Sequence, residues 1–418
     1  LKLRAVAPAG HQLSFQYFSV IADYKSPSAK AALDNEQLVD FMKKLPLFLI
    51  CAILSIATLR LGLAEEIKSG MNALLAPLSS LEEYIADQDA FSDPRNAKNV
   101  SALLQTLRKN FHSLETVPSK YHAFDGFDLA LQQVSDILDD SSRRLNEGRS
   151  NYAWWRLRTL SSSCFACHAT YKVSSSLSAP TAISPNIEPI QQARFMLATR
   201  QFTGAVEKLR EVIKDPESRF FYDEALRSLL LIETRIEQKP AAAIKLFQEI
   251  LATAKLSEED IHQVRIWIEG LKRWKSAPQD PSALLRDGEQ LIVKGATKGI
   301  DFARDDVALL RGTALIHQAL ESGHLSSEQR SRSLYLLGFA YEQVPLYFAE
   351  SWTEMYLEQC IHEYPGSADA KRAYRTYREH IIDDFTGSGG TDIPDEVALH
   401  LEELRKKAFG EPAINGKV

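Results

Sequence analysis

Apolar residues recur at spacings of three and four along most of this chain, and that period decides its fold class. Four such stripes fall between Glu65 and Lys172. The first runs Ile67, Met71, Leu74, Leu78, Leu81, Ile85, and the second Val100, Leu103, Leu107, Phe111, Leu114. The third uses Phe127, Leu131, Val134, Leu138 and Leu145, and the fourth Trp154, Leu157, Leu160, Cys164, Cys167 and Tyr171. Each stripe buries one face of a helix, and four of similar length with short loops predict an antiparallel four-helix bundle over residues 65–172. Pro77 lies inside the first stripe, so that helix either kinks there or begins its regular part there.

A Ser/Pro-rich stretch, residues 173–189, reads as a linker to a second helical region at 190–382. In that region Ala205, Leu209 and Val212 are matched by Ala243, Phe247 and Ile250, and a further unit shows Leu334, Leu337, Gly338 and Tyr341. These residues resemble tetratricopeptide repeats, in which small side chains let paired helices approach closely. The stretch from Leu256 to Trp274 fits that pattern poorly. Residues 383–418 read as a Gly/Ser loop and a terminal helix. The expected architecture is all-α: a bundle followed by helical repeats.

With 49 basic against 55 acidic side chains the net charge is −6, which lacks the basic footprint of a nucleic-acid binder. From Met42 the chain reads Met42-Lys43-Lys44, then an apolar run to Leu63, then Ala64 before Glu65-Glu66. That is the order of a secretory signal peptide over residues 42–64. Arg60 interrupts the run, and its length falls short of the roughly 20 residues that span a bilayer. Residues 1–41 then lie upstream of the true start, and the expected product is periplasmic with no stable membrane span.

The chemistry concentrates in Cys164-Phe165-Ala166-Cys167-His168, the CxxCH spacing of c-type haem attachment. Two thiols add across the two vinyl groups of haem, and the adjacent histidine reaches the iron from the same side. A zinc site would want four ligands, and residues 65–418 hold no second cysteine pair. A CxxC oxidoreductase would sit beside a βαβ pattern, which is absent. One covalent haem c on Cys164 and Cys167, with His168 as proximal iron ligand, is therefore expected.

The motif closes the fourth helix and is followed by Tyr171 and Lys172. This placement resembles the cytochrome c prime family and its low-spin relatives, whose bundle ends in CxxCH, an aromatic and a basic residue. The resemblance implies a haem at one end of the bundle, with Tyr171 and Lys172 near it. It also implies a first-helix methionine as distal ligand, which points to Met71, with His112 and then His122 as the other candidates at that end. Cys360 reads as a buried small hydrophobe, and Trp154 and Trp155 as bundle core.

The function that follows is one-electron transfer by an exported monohaem cytochrome, with a redox or assembly partner docked on the repeats. The alternatives are a haem sensor of NO or CO and a scaffold with an accessory haem. No nucleophile elbow or phosphate loop suggests a catalyst.

Overall fold

The computed structural model describes residues 69–115, 127–170, 183, 187–297, 305–346, 348, 351–393 and 395–411. The signal-peptide reading of 42–64, the upstream segment 1–41, His122, Tyr171 and Lys172 lie outside the described residues. From Ala64 onward the chain forms one compact unit. It is all-α, as expected, apart from a two-stranded hairpin of Thr386–Gly387 and Gly390–Thr391.

Helix α1 covers residues 69–85 and runs straight through Pro77. Proline cannot donate to the carbonyl four residues earlier, which leaves the Ala73 oxygen without its helical partner. The Asn110 side chain supplies one, donating from Nδ2 to that oxygen at 2.9 Å. A residue of a neighbouring helix thus makes the proline tolerable, and the regular part of α1 does not begin at Pro77. A short α2, Gln88–Ser92, is capped by Asp87 and buries Phe91.

Helices α3 (Ala97–Glu115) and α4 (Phe127–Asn146) bury the faces their stripes predict, except that Leu104 rather than Leu103 is fully buried and Leu145 is only partly so. The expected fourth helix is two: α5 (Ser150–Leu157) and α6 (Leu160–Thr170), separated at Arg158 and Thr159. Thr159 Oγ1 donates to the Arg156 carbonyl at 2.9 Å and closes the end of α5. Trp154 donates from its indole to the Ile85 carbonyl, but Trp155 is 52% exposed and is not core.

Helix α6, which carries Leu160, Cys164 and Cys167 of the expected fourth stripe, is buried nearly all round and not on that face alone. Leu160, Ser161, Ser162, Ser163, Phe165, Ala166 and Cys167 are all buried. On one side α6 packs on α4, and Ser161 bonds Glu82 of α1. On the other it meets the second region, where α7 (Pro189–Ala198) and α15 (Ser351–Glu363) lie against it. Within the stretch read as a linker, Ile183 and Ile187 are buried in the core. Weakly packed chain does not describe those two positions.

Between α7 and α15 the chain continues as α8 (Phe202–Lys214), α9 (Tyr222–Leu231, extended by a π turn to Ile236), α10 (Pro240–Thr253) and α11 (Glu258–Lys272). Then come α12 (Pro281–Ala296), α13 (Asp306–Glu321) and α14 (Ser327–Gln343), with α16 (Ala368–Asp384) and α17 (Asp395–Phe409) after α15. Ala205, Leu209, Val212, Ala243, Phe247 and Ile250 are all buried, and Gly338 lets α14 approach Leu357 of α15. Helices α12 and α13 also approach closely. A Cβ on Gly288 would sit 3.0 Å from the Gly312 carbonyl, and one on Gly312 would sit 2.9 Å from that of Gly288.

Candidate functional site

Met71 and three residues of the Cys164 to His168 segment, remote from it in sequence, meet in one cavity. Met71 comes from α1, and Cys164, Cys167 and His168 come from α6. The walls are Leu74, Leu75 and Leu78 of α1, Phe111 of α3, and Ala130, Leu131 and Val134 of α4. The second region closes the remaining side with Ala198 and Thr199. The cavity volume is about 50 Å³, below the roughly 300–1,000 Å³ of small-molecule and cofactor sites, so a group as large as a porphyrin enters only if the walls move apart. The cavity brings Met71, Cys164, Cys167 and His168 together. Ala198 and Thr199 were not foreseen.

The imidazole of His168 is held in one tautomer. Its Nδ1–H donates to the carbonyl of Ala198 at 2.6 Å, so Nε2 keeps its lone pair. Burial, helped by the Arg200 charge, pushes its pKa down to about 4, while the bond to Ala198 acts the other way. A neutral ring with a carbonyl-anchored Nδ1 is the usual form of a metal-ligating histidine.

The two cysteines are free, with Cys164 half-buried and Cys167 buried. Burial pushes both thiols up to about 12, and at Cys164 the neighbouring Cys167 and Glu82 add to the effect. With the thiol form favoured by burial, both are neutral thiols facing an apolar space.

His112 is a different case. Its Nδ1 lies 3.0 Å from Glu115 Oε2 and its Nε2 3.4 Å from Asp139 Oδ1. The hydrogen bond its ring donates to Glu115, with the charges of both carboxylates adding, raises its pKa, and burial opposes them. Phe111 lines the cavity and His112 does not. It is a half-exposed ion-pair residue outside the cavity lining.

Behind Cys164, one turn earlier on α6, Ser161 donates to Glu82, a carboxyl only 5% exposed. Burial raises the Glu82 pKa above 4.5, against the Ser161 bond and the Arg194 charge. Between the unfolded and folded values the folded chain keeps a proton that the unfolded chain has lost. Stability therefore falls as pH rises through that window. Glu82→Gln is expected to leave thermal stability nearly unchanged at pH 4 and to raise it increasingly towards pH 8. A difference in Tm that stays constant with pH would contradict this assignment.

A second cluster of metal-binding residue types, Glu354, His380 and Asp384, lies on α15 and α16. His380 is desolvated, yet hydrogen bonds to Glu342 and Glu354 hold its pKa at about 10. A ligating histidine must be neutral, so this cluster reads as an ion-pair hub. Cys360 is buried, with its Sγ donating to the Ser331 carbonyl at 3.4 Å, as a small core residue would be.

Among the described residues no helix is long and apolar enough to cross a membrane. No protein-family model, no curated protein and no solved structure matches the chain.

Proposed function

We propose that this chain is an exported monohaem c-type cytochrome that carries single electrons, with its haem site completed by the helical region that follows the bundle. The observation that carries this reading is the cavity in which Met71, Cys164, Cys167 and His168 meet. A haem bound there would supply a one-electron Fe(III)/Fe(II) couple.

The residues present fit such a group. Two neutral thiols and an imidazole with a free Nε2 share one helix and one cavity. Cys164 and Cys167 would attach the porphyrin, and His168 would ligate the iron with its ring fixed by Ala198. The leucines of α1 and the apolar faces of α3 and α4 would exclude water from it. Helices α1, α3, α4 and α6 packed around one core support the cytochrome c prime resemblance. The buried small residues of α8, α10 and α14 support the tetratricopeptide-like reading of the second region, on which a redox partner would dock. The Met42 to Ala64 segment supports export to the periplasm, where covalent haem attachment takes place.

Met71 lies in the cavity with the cysteines, and its thioether is the ligand that would raise the potential of a His-ligated haem. Met71→Ala is expected to convert a low-spin spectrum to a high-spin one and to open the iron to CO. The absorption spectrum of the ferrous holoprotein with and without CO checks this. A wild-type spectrum that is already high-spin and binds CO would replace electron transfer with gas binding. The apolar wall of Leu74, Leu75 and Leu78 favours that second reading over a hydrolytic or oxidative one.

A further inference from the structure

With a volume of about 50 Å³, the cavity admits a porphyrin only after one wall has moved. The walls are not equally fixed. The lining residues of α3 and α4 are buried, as are Ala198 and Thr199. Met71, Leu74 and Leu75 of α1 are only half-buried.

Within α1 burial changes at Pro77. From residue 69 to 76 no residue is buried, whereas Leu78, Leu81, Glu82 and Ile85 beyond it all are. The later half is also pinned through its polar groups. Ser161 of α6 donates to Glu82, and the Trp154 indole donates to the Ile85 carbonyl at 2.9 Å. The earlier half is seated on α3. A side chain on Gly70 would run into Leu114, and Asn110, one turn before Leu114, donates to the Ala73 carbonyl at 2.9 Å.

Pro77 weakens the joint between the two halves. It has no N–H to donate to Ala73, so the helix lacks one of the bonds that cross this point, and bends concentrate at such prolines. Asn110 makes that bond from outside the helix. Both groups lie at the surface, so water replaces each partner when the contact opens. Segments with little buried apolar surface are those that open locally at the lowest free energy.

We propose that residues 69–76 form a lid over the cavity, hinged at Pro77 and latched by Asn110, and that this wall parts to admit the cofactor. Met71 rides on the lid, so closure brings its thioether to the cavity. What enters rests on the haem reading above, whereas the latch is measured on protein without haem.

The reporter is Cys167, which faces the cavity and is 7% exposed. Cys360, buried in the second region, reports general unfolding. The full chain as apoprotein is treated with a maleimide, and each cysteine is followed by peptide mass. Asn110→Ala should speed the labelling of Cys167 about fivefold, the equivalent of one hydrogen bond, and leave Cys360 unchanged. Pro77→Ala supplies the missing N–H, so labelling should slow, and Asn110→Ala should then add nothing. Hemin added to the same apoproteins should bind at rates in the same order. An Asn110→Ala chain that labels at the wild-type rate would overturn the lid. Equal acceleration at Cys360, or an effect of Asn110→Ala that persists beside Pro77→Ala, would do the same. Hemin uptake indifferent to these substitutions would overturn the admission role. A latch that behaves as described in a chain exported without covalent haem would overturn the haem reading alone.

Discussion

Replacing Cys164 and Cys167 together by serine is expected to remove all covalently held haem from the exported chain while leaving its helices in place. A hydroxyl does not form the thioether that holds the porphyrin, and both thiols line the cavity with His168. The fold should survive because serine is nearly isosteric with cysteine. A buried hydroxyl without a partner costs about 1–3 kcal/mol, against a total stability of about 5–15 kcal/mol for a typical protein. Far-ultraviolet circular dichroism and acid extraction of the purified variant measure the two effects separately. Colour that survives acid extraction in the double variant would contradict the attachment sites.

Cutting the chain after Ala182 is the second large perturbation. The Ser/Pro composition of 173–189 suggests that a fragment from Glu65 to Ala182 would keep its haem spectrum. The packing of α6 predicts the reverse. Phe165, between the two cysteines, is wholly buried and stacks on Phe348 and Trp352, with ring centroids 5.6 and 5.1 Å away. Phe202 meets its edge at 6.3 Å. Ser162 bonds Ser351 at 2.8 Å, Ala169 accepts from Arg235 at 3.1 Å, and His168 loses its anchor without Ala198. The fragment should therefore lack both the haem spectrum and a cooperative unfolding transition. In the full chain Phe165→Ala alone should lower stability by about 3–5 kcal/mol. A fragment that unfolds cooperatively with a full spectrum would show that the second region adds nothing to the site.

Much of this was legible in the sequence where the information is local. The stripes of α3 and α4 fix their buried faces because each helix has one core side and one wet side. Helical register was enough to bring Met71 to the same cavity as Cys164, Cys167 and His168.

What was not legible depended on partners remote in sequence. Helix α6 buries three consecutive serines as well as its Leu160, Cys164 and Cys167 stripe, because neighbours on opposite sides cover it. Its serines are buried against Glu82 and Ser351, which no periodicity could foretell. Ile183 and Ile187 were hidden by the composition around them. His112 sits at the expected end of α3, but Glu115 and Asp139 claim its ring, and side-chain direction lies below the resolution of a stripe. The α12–α13 pair was missed because its contact is made by Gly288 and Gly312, where backbones meet without side chains.

The most direct test of the central claim is the mass of the peptide spanning Cys164 to His168, taken from the full chain after export in a bacterium with c-type haem maturation. The account predicts that this peptide carries one haem through two thioether bonds. The same peptide with both thiols unmodified, from cells that mature other c-type cytochromes, would contradict it.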